Sequence, residues 1–338
     1  MILVTGGTGL VGSHLLQALV REGKPVRAIK RASGDMGMIR KVFDLYSAQP
    51  EKDFSLIEWV EADIMDIFSL EEAMEGVEEV YHCAAKVSFL PEDRKRLMRI
   101  NTEGTANVVN AALEQKIRKL CHVSSIAALG RPENQSDLID EELVWKTSRN
   151  NSIYAVSKYG AEREVWRGTA EGLDAVIVNP SIILGVAGDS QGSSRIFNTV
   201  WKGLKFYPPG RNGFVDVRDV VRAMILLMNS DIRNERFILS IESIEYKRLF
   251  DLISAEMGKT APHYRVSPIM SGFAWRLEKL RSMVTGIKPL ITKETARTAV
   301  QQYEYSNQKI RKALGFEFTP IEETIRHFCR IFMGAVNS

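Results

Sequence analysis

The sequence predicts a doubly wound α/β fold, a parallel sheet covered by helices on both faces, with a smaller and mostly helical second lobe. Three observations support this reading. Short apolar runs alternate with helical patterns as far as Pro180, a glycine-bearing turn joins the first run to the first helix, and the alternation fades beyond that point.

Ile2–Thr5 is an apolar run closed by glycines, as a buried strand would be. Leu10–Arg21 places Leu10, Leu15, Leu16, Leu19 and Val20 at helical spacing. Further strands are expected over Pro25–Ile29, Leu56–Val60, Glu79–His82, Lys119–Ser124 and Ala175–Val178, with helices notably over Arg94–Gln115 and Ser152–Glu171. Parallel connections of this kind are right-handed, and ligands bind beyond the carboxyl ends of the strands. Phe237–Ser240 reads as one more strand, Tyr207–Gly213 as a loop, and the chain from Lys247 onward as mostly helical. The expected division is a first domain over residues 1–180, its sheet completed by about 214–240. A second lobe over 181–213 and 241–338 would shape a substrate pocket.

The chain has 338 residues, 45% hydrophobic and 26% charged, which excludes the disordered classes. A formal net charge of +3 gives no basis for a nucleic-acid partner. Cys83, Cys121 and Cys329 are too few and odd in number for a disulfide framework, so a reducing, cytoplasmic setting is expected. Cys83 and Cys121 read as core residues. His327 and Cys329 lack a matching partner pair, so no metal site is expected. The apolar start Met1–Val4 has no basic region of a signal peptide, and no run of about 18 apolar residues predicts a membrane span.

Thr5-Gly6-Gly7-Thr8-Gly9-Leu10-Val11-Gly12 lies between the first strand and the first helix. Glycines at this spacing are weak evidence alone, but a strand–turn–helix context is what phosphate binding requires. Gly6 permits a tight turn, Gly9 lets the backbone approach a pyrophosphate, and Gly12 lets the helix pack on the strand. The helix start then offers free N–H groups and a positive dipole end.

The three-residue steps between these glycines resemble the extended short-chain dehydrogenase/reductases, which share a dinucleotide-binding Rossmann domain. The resemblance implies cofactor contacts from Gly6, Thr8, Gly9, Leu10, Val11 and Gly12. It places Asp63 and Ile64 near the adenine, lets the dinucleotide lie across Ala84 and Ala85, and puts Pro180 beside the cofactor. Asn101 falls at a position that is structural in the family. The second strand ends in Lys30-Arg31 with no acid for a ribose hydroxyl, and Arg31 suits a 2′-phosphate. The expected cofactor is therefore NADP, with NAD as the alternative.

Tyr154 and Lys158 are four apart, on one face of a helical segment with Cβ atoms about 5–6 Å apart. A free phenol has a pKa near ~10, and a neighbouring cation favours its ionised form. Ser124-Ser125 ends the fifth strand, where the family places a hydroxyl on the substrate oxygen. Ser125 is preferred because it stands five residues before Gly130. By resemblance, Ser125, Tyr154 and Lys158 are the catalytic set, Tyr154 and Lys158 also touching the cofactor.

Ser125 is followed by Ile126-Ala127, without the acidic pair of sugar dehydratases. Val178–Ser181 and Phe214–Val220 resemble the branch of dihydroflavonol reductases, cinnamoyl-CoA-type reductases and 3β-hydroxysteroid dehydrogenases. The resemblance covers most of the chain to about residue 225. It implies an oxidoreductase that reduces a carbonyl or oxidises a secondary alcohol on a small, ring-containing substrate. A nucleotide-sugar epimerase using the same triad is the alternative, and a non-catalytic dinucleotide sensor a further one. A homodimer through Arg94–Gln115 and Ser152–Glu171 also follows from the family. Over Pro268–Val284, the residues Ile269, Phe273, Leu277, Leu280 and Val284 fall at helical spacing, with Trp275, Arg276, Lys279 and Arg281 beside them. This segment reads as a helix packed on the small lobe, as a lid over an apolar substrate, or as a surface that touches lipid.

Overall fold

The computed structural model describes residues 1–132, 138–148, 151–185, 194–285, 289 and 292–337. The chain runs β1 (Ile2–Thr5), α1 (Leu10–Arg21), β2 (Val26–Lys30), α2 (Gly37–Tyr46), α3 (Pro50–Ser55), β3 (Ile57–Glu61), α4 (Ile67–Met74) and β4 (Glu79–His82). It continues through α5 (Arg94–Leu97), α6 (Gly104–Glu114), β5 (Lys119–Val123), β6 (Leu138–Ile139), α7 (Ile153–Ala170), β7 (Ala175–Pro180), β8 (Ile182–Leu184) and α8 (Ser194–Trp201). The remainder is β9 (Phe206–Tyr207), β10 (Arg211–Asp216), α9 (Val217–Asn229), β11 (Glu235–Leu239), β12 (Ser243–Glu245), α10 (Tyr246–Glu256), β13 (Tyr264–Arg265), α11 (Pro268–Thr285), α12 (Lys293–Thr298), β14 (Glu304–Tyr305), α13 (Gln308–Leu314) and α14 (Ile321–Asn337).

Seven parallel strands form the central sheet in the order β11-β7-β5-β4-β1-β2-β3. Side chains alternate across it, as a two-residue period requires. Ile2 and Val4 of β1 pack with α1 and α9 on one face, and Leu3 packs with α4, α6 and α7 on the other. The chain leaves β1 for β2 on one side and returns to β4 on the other. The crevice beyond the end of β1 is therefore the topological switch point.

A separate apolar cluster holds the second lobe, with Leu184, Phe197, Phe214, Ile253, Ile325 and Phe328 at its centre. The mixed sheet β12-β10-β8 joins this lobe to the central one, because β8 follows directly from β7.

Two elements differ from the sequence reading. The helix expected over Arg94–Gln115 is interrupted by a π-helical segment, Met98–Glu103, that includes Asn101. The stretch Tyr207–Gly213 is not loop throughout, since β9 ends at Tyr207 and β10 begins at Arg211. Among the described residues, no helix is long and apolar enough to cross a membrane, and no group of three or more His, Cys, Asp or Glu is placed to hold a metal ion. The three cysteines are free thiols.

Phe328 is wholly buried in the second-lobe cluster. Phe328→Ala is expected to cost roughly 3–5 kcal/mol, measured as a urea midpoint shift at unchanged slope. A loss under about 1 kcal/mol would show that this lobe does not depend on the cluster.

Candidate active site

The glycine turn is built for close backbone approach. Gly6 has φ +69°, and a Cβ there would lie 2.6 Å from the Ala84 nitrogen. A Cβ on Gly12 would collide with the Gly6 carbonyl and with Gly7 Cα. Gly12 thus lets α1 pack on the turn itself rather than on the strand. Gly9 is exposed and leads into α1 with no side-chain cap and no acid in the first turn. Its first N–H groups are the donors an anion takes. Thr8, Leu10 and Val11 line the same turn and are half-buried. An open glycine cradle at a helix start, at the switch point, fits a dinucleotide pyrophosphate.

The other residues matched to the family's cofactor site follow the carboxyl ends of neighbouring strands. Arg31 is exposed directly after β2. Asp63 is exposed after β3, and its carboxylate accepts from the Met65 N–H at 3.0 Å. Ile64 turns its side chain into the core beneath α6, against Gly104, so only its backbone faces outward. Ala84 is half-buried and Ala85 exposed after β4, and Pro180 closes β7 in the core.

Ser125 caps a short 3-10 turn, Ile126–Leu129, at the end of β5. Its hydroxyl accepts from the Ala127 N–H at 3.2 Å. Ser124 is committed elsewhere, donating to the buried Glu162 carboxylate at 2.7 Å. Tyr154 lies in the first turn of α7, with Phe89 packed edge-on at 5.4 Å. Burial raises its pKa, the Ser125 hydroxyl opposes the rise, and the phenol is neutral here. Lys158 is 2% exposed, and its Nζ donates to the Val123 carbonyl at 2.8 Å. Burial pushes the ammonium pKa down to about 8, against the raising effect of Glu162.

Two sets of residues complete the site, the first built on Glu162, which the sequence reading missed, and the second on Asn101, whose structural place it expected. Glu162 is 1% exposed, one turn beyond Lys158 on α7. Besides Ser124, it accepts from Asn179 Nδ2 at 2.9 Å and pairs with Arg236 at 3.1 Å. Asn179 also donates to the Ser125 carbonyl at 3.0 Å. The carboxylate thereby ties together β5, β7 and β11 behind the lysine. The sequence reading missed it, although the i, i+4, i+8 spacing of Tyr154, Lys158 and Glu162 puts all three on one helix face.

The second set runs from the phosphate turn to α7. Thr105 Oγ1 donates to the Asn101 carbonyl at 2.6 Å, so it accepts from His82 Nε2 at 2.9 Å. His82 Nδ1 then accepts from Thr5 Oγ1 at 2.7 Å, and Thr5 accepts from the Ala84 N–H. Burial pushes His82 down to about 3, which keeps the ring neutral. Asn101 donates to the Ser157 hydroxyl and the Lys86 carbonyl, both at 2.9 Å, and Ser157 donates to the Tyr154 carbonyl at 2.8 Å.

The chain is similar to known proteins. The putative dihydroflavonol 4-reductase of Synechocystis sp. is 29% identical, covering 95% of this chain and 91% of that protein. Sterol demethylase protein B of Methylococcus capsulatus is 30% identical, covering 80% of this chain and 79% of the other. The crystal structure of gox2253 superposes with a TM-score of 0.77 at 28% identity, over 96% of both chains. The NAD dependent epimerase/dehydratase family model matches residues 2–239. With most of the chain matched and the glycine cradle at the switch point, this protein belongs to the NAD dependent epimerase/dehydratase family, whose members are NAD(P)-dependent enzymes.

Proposed function

We propose that the protein is an NADP-dependent reductase of a carbonyl on a small, apolar ring substrate, working as a homodimer in the cytoplasm, with Ser125, Tyr154 and Lys158 as its catalytic residues. The observation that carries this reading is the buried Lys158, one helical turn beyond Tyr154 on α7, whose Nζ donates to the Val123 carbonyl two residues before Ser125, at the sheet edge that bears the glycine cradle. When bound, the nicotinamide supplies the hydride. Ser125 orients the substrate oxygen where negative charge develops. Tyr154, held neutral by burial, has a proton to donate to that oxygen, which suits reduction better than oxidation. Lys158 supplies positive charge beneath the phenol and holds the nicotinamide ribose. The names of the Synechocystis and Methylococcus relatives, a dihydroflavonol reductase and a sterol demethylase protein, support an apolar ring as the substrate class. Arg31 supports NADP, since its exposed guanidinium has the planar fork that binds a phosphate.

Tyr154→Phe is expected to lower kcat by roughly 10²–10⁴-fold while leaving the NADPH Kd unchanged. Full turnover on a panel of flavonoid-type, aryl and steroid ketones would end the assignment. Arg31→Ala is expected to raise the NADPH Kd about 10–100-fold and to leave NADH binding alone. Equal affinity of the unaltered protein for the two cofactors would remove the NADP reading.

Lys158 loses its proton as pH rises through about 8, so kcat/KM is expected to decline on the alkaline side of that value. Glu162 raises the lysine pKa, so removing its charge moves the decline to lower pH. Glu162→Gln is expected to shift that limb down by roughly one pH unit. A pH profile that only scales, with its limb in place, would make Glu162 a purely structural residue.

A further inference from the structure

Helix α11 presents its apolar side outward. Met270, Phe273, Leu277, Leu280 and Met283 are all exposed, Phe273 and Leu277 to 65% each. They recur at three- and four-residue steps, so most of them share one stripe. The half-buried positions on the opposite side are Trp275, Glu278 and Ser282. The apolar periodicity thus belongs to the solvent-facing side, and the helix is not packed on its lobe through that stripe.

The surroundings of this stripe are basic. Arg276 and Lys279 are exposed along its flank, and the helix's one acid, Glu278, is paired with Arg281. The chain from Met257 to Leu277 holds Lys259, Arg265 and Arg276 and no acid, and that from Ser194 to Val215 holds Arg195, Lys202, Lys205 and Arg211 and no acid. The parallel pairing of β9 with β13 brings these two stretches side by side, Tyr264 opposite Phe206 and Arg265 opposite Tyr207. Phe206 and Tyr264 are themselves exposed, with ring centroids 5.5 Å apart. Only Val266 and Ser267 separate this ribbon from α11.

We propose that α11, with the β9–β13 ribbon beside it, docks the protein on the surface of an anionic phospholipid bilayer. A convex apolar stripe flanked by cations matches the boundary between acyl chains and acidic headgroups, where an in-plane helix lies. A second copy of the chain fits less well. A two-fold interface sets a patch against itself, and here the cations of α11 would face cations.

The test is flotation of the full chain with phosphatidylcholine vesicles carrying about one-third phosphatidylserine. The unaltered protein is expected to float with these vesicles at low salt and to stay behind with pure phosphatidylcholine. The double substitution Phe273→Glu with Leu277→Glu is expected to lower the floated fraction about tenfold or more. Arg276→Glu with Lys279→Glu is expected to lower it by about fivefold per cation. NADPH titration and the thermal midpoint should be unchanged in both variants, since all four side chains are exposed. The proposal is overturned if the unaltered protein stays behind, if it floats equally well with neutral vesicles, or if either folded variant floats as before. It is equally overturned if the protein stays behind and the apolar variant turns a dimer into a monomer by light scattering, which would make this face a protein interface.

Discussion

The carboxylate of Glu162 is the interaction on which the rest of the site depends. It is buried among three strands, taking one donor each from Ser124 just after β5, Asn179 near the end of β7 and Arg236 near the start of β11. A buried charge is tolerated only when it is paired and hydrogen-bonded, so the three strand ends must sit where they do for the fold to accept it. Removing one donor would leave the charge under-satisfied and would loosen the loop that carries Ser125. The same carboxylate sits one helical turn from Lys158 and offsets part of the cost of burying the ammonium. Structure and electrostatics are thus set by one group.

The central sheet was largely legible in the sequence because its strands are buried on both faces. Glu79–His82 was located to the residue, and its neighbours to within a residue or two, since apolar runs bounded by turns leave little freedom. The π-helical insertion at Asn101 was not legible, because one extra residue in a helical turn barely disturbs apolar spacing. Nor were β9 and β13, whose residues are mostly exposed and show no alternation.

Within the site, the glycine turn and the Tyr154–Lys158 pair were legible as motifs, and Ser125 as a position relative to Gly130. What spacing could not reveal was environment. A glutamate in mid-helix reads as solvated until the strand ends closing over it are known. The same limit explains α11, where periodicity identified the apolar stripe but not which way it faces. The ionisation of Tyr154 is another case. The spacing argued for an acidic phenol, whereas burial, invisible in the sequence, raises its pKa.

The line of bonds through Thr5, His82, Thr105 and Asn101 has a direction, each group donating to the next. With the imidazole held neutral, the line cannot reverse without breaking several bonds together, so it acts as a strut and not as a proton wire. The rigid ring spans a fixed distance with an acceptor at one end and a donor at the other. The strut therefore joins the glycine turn rigidly to the start of the helix that bears the phenol.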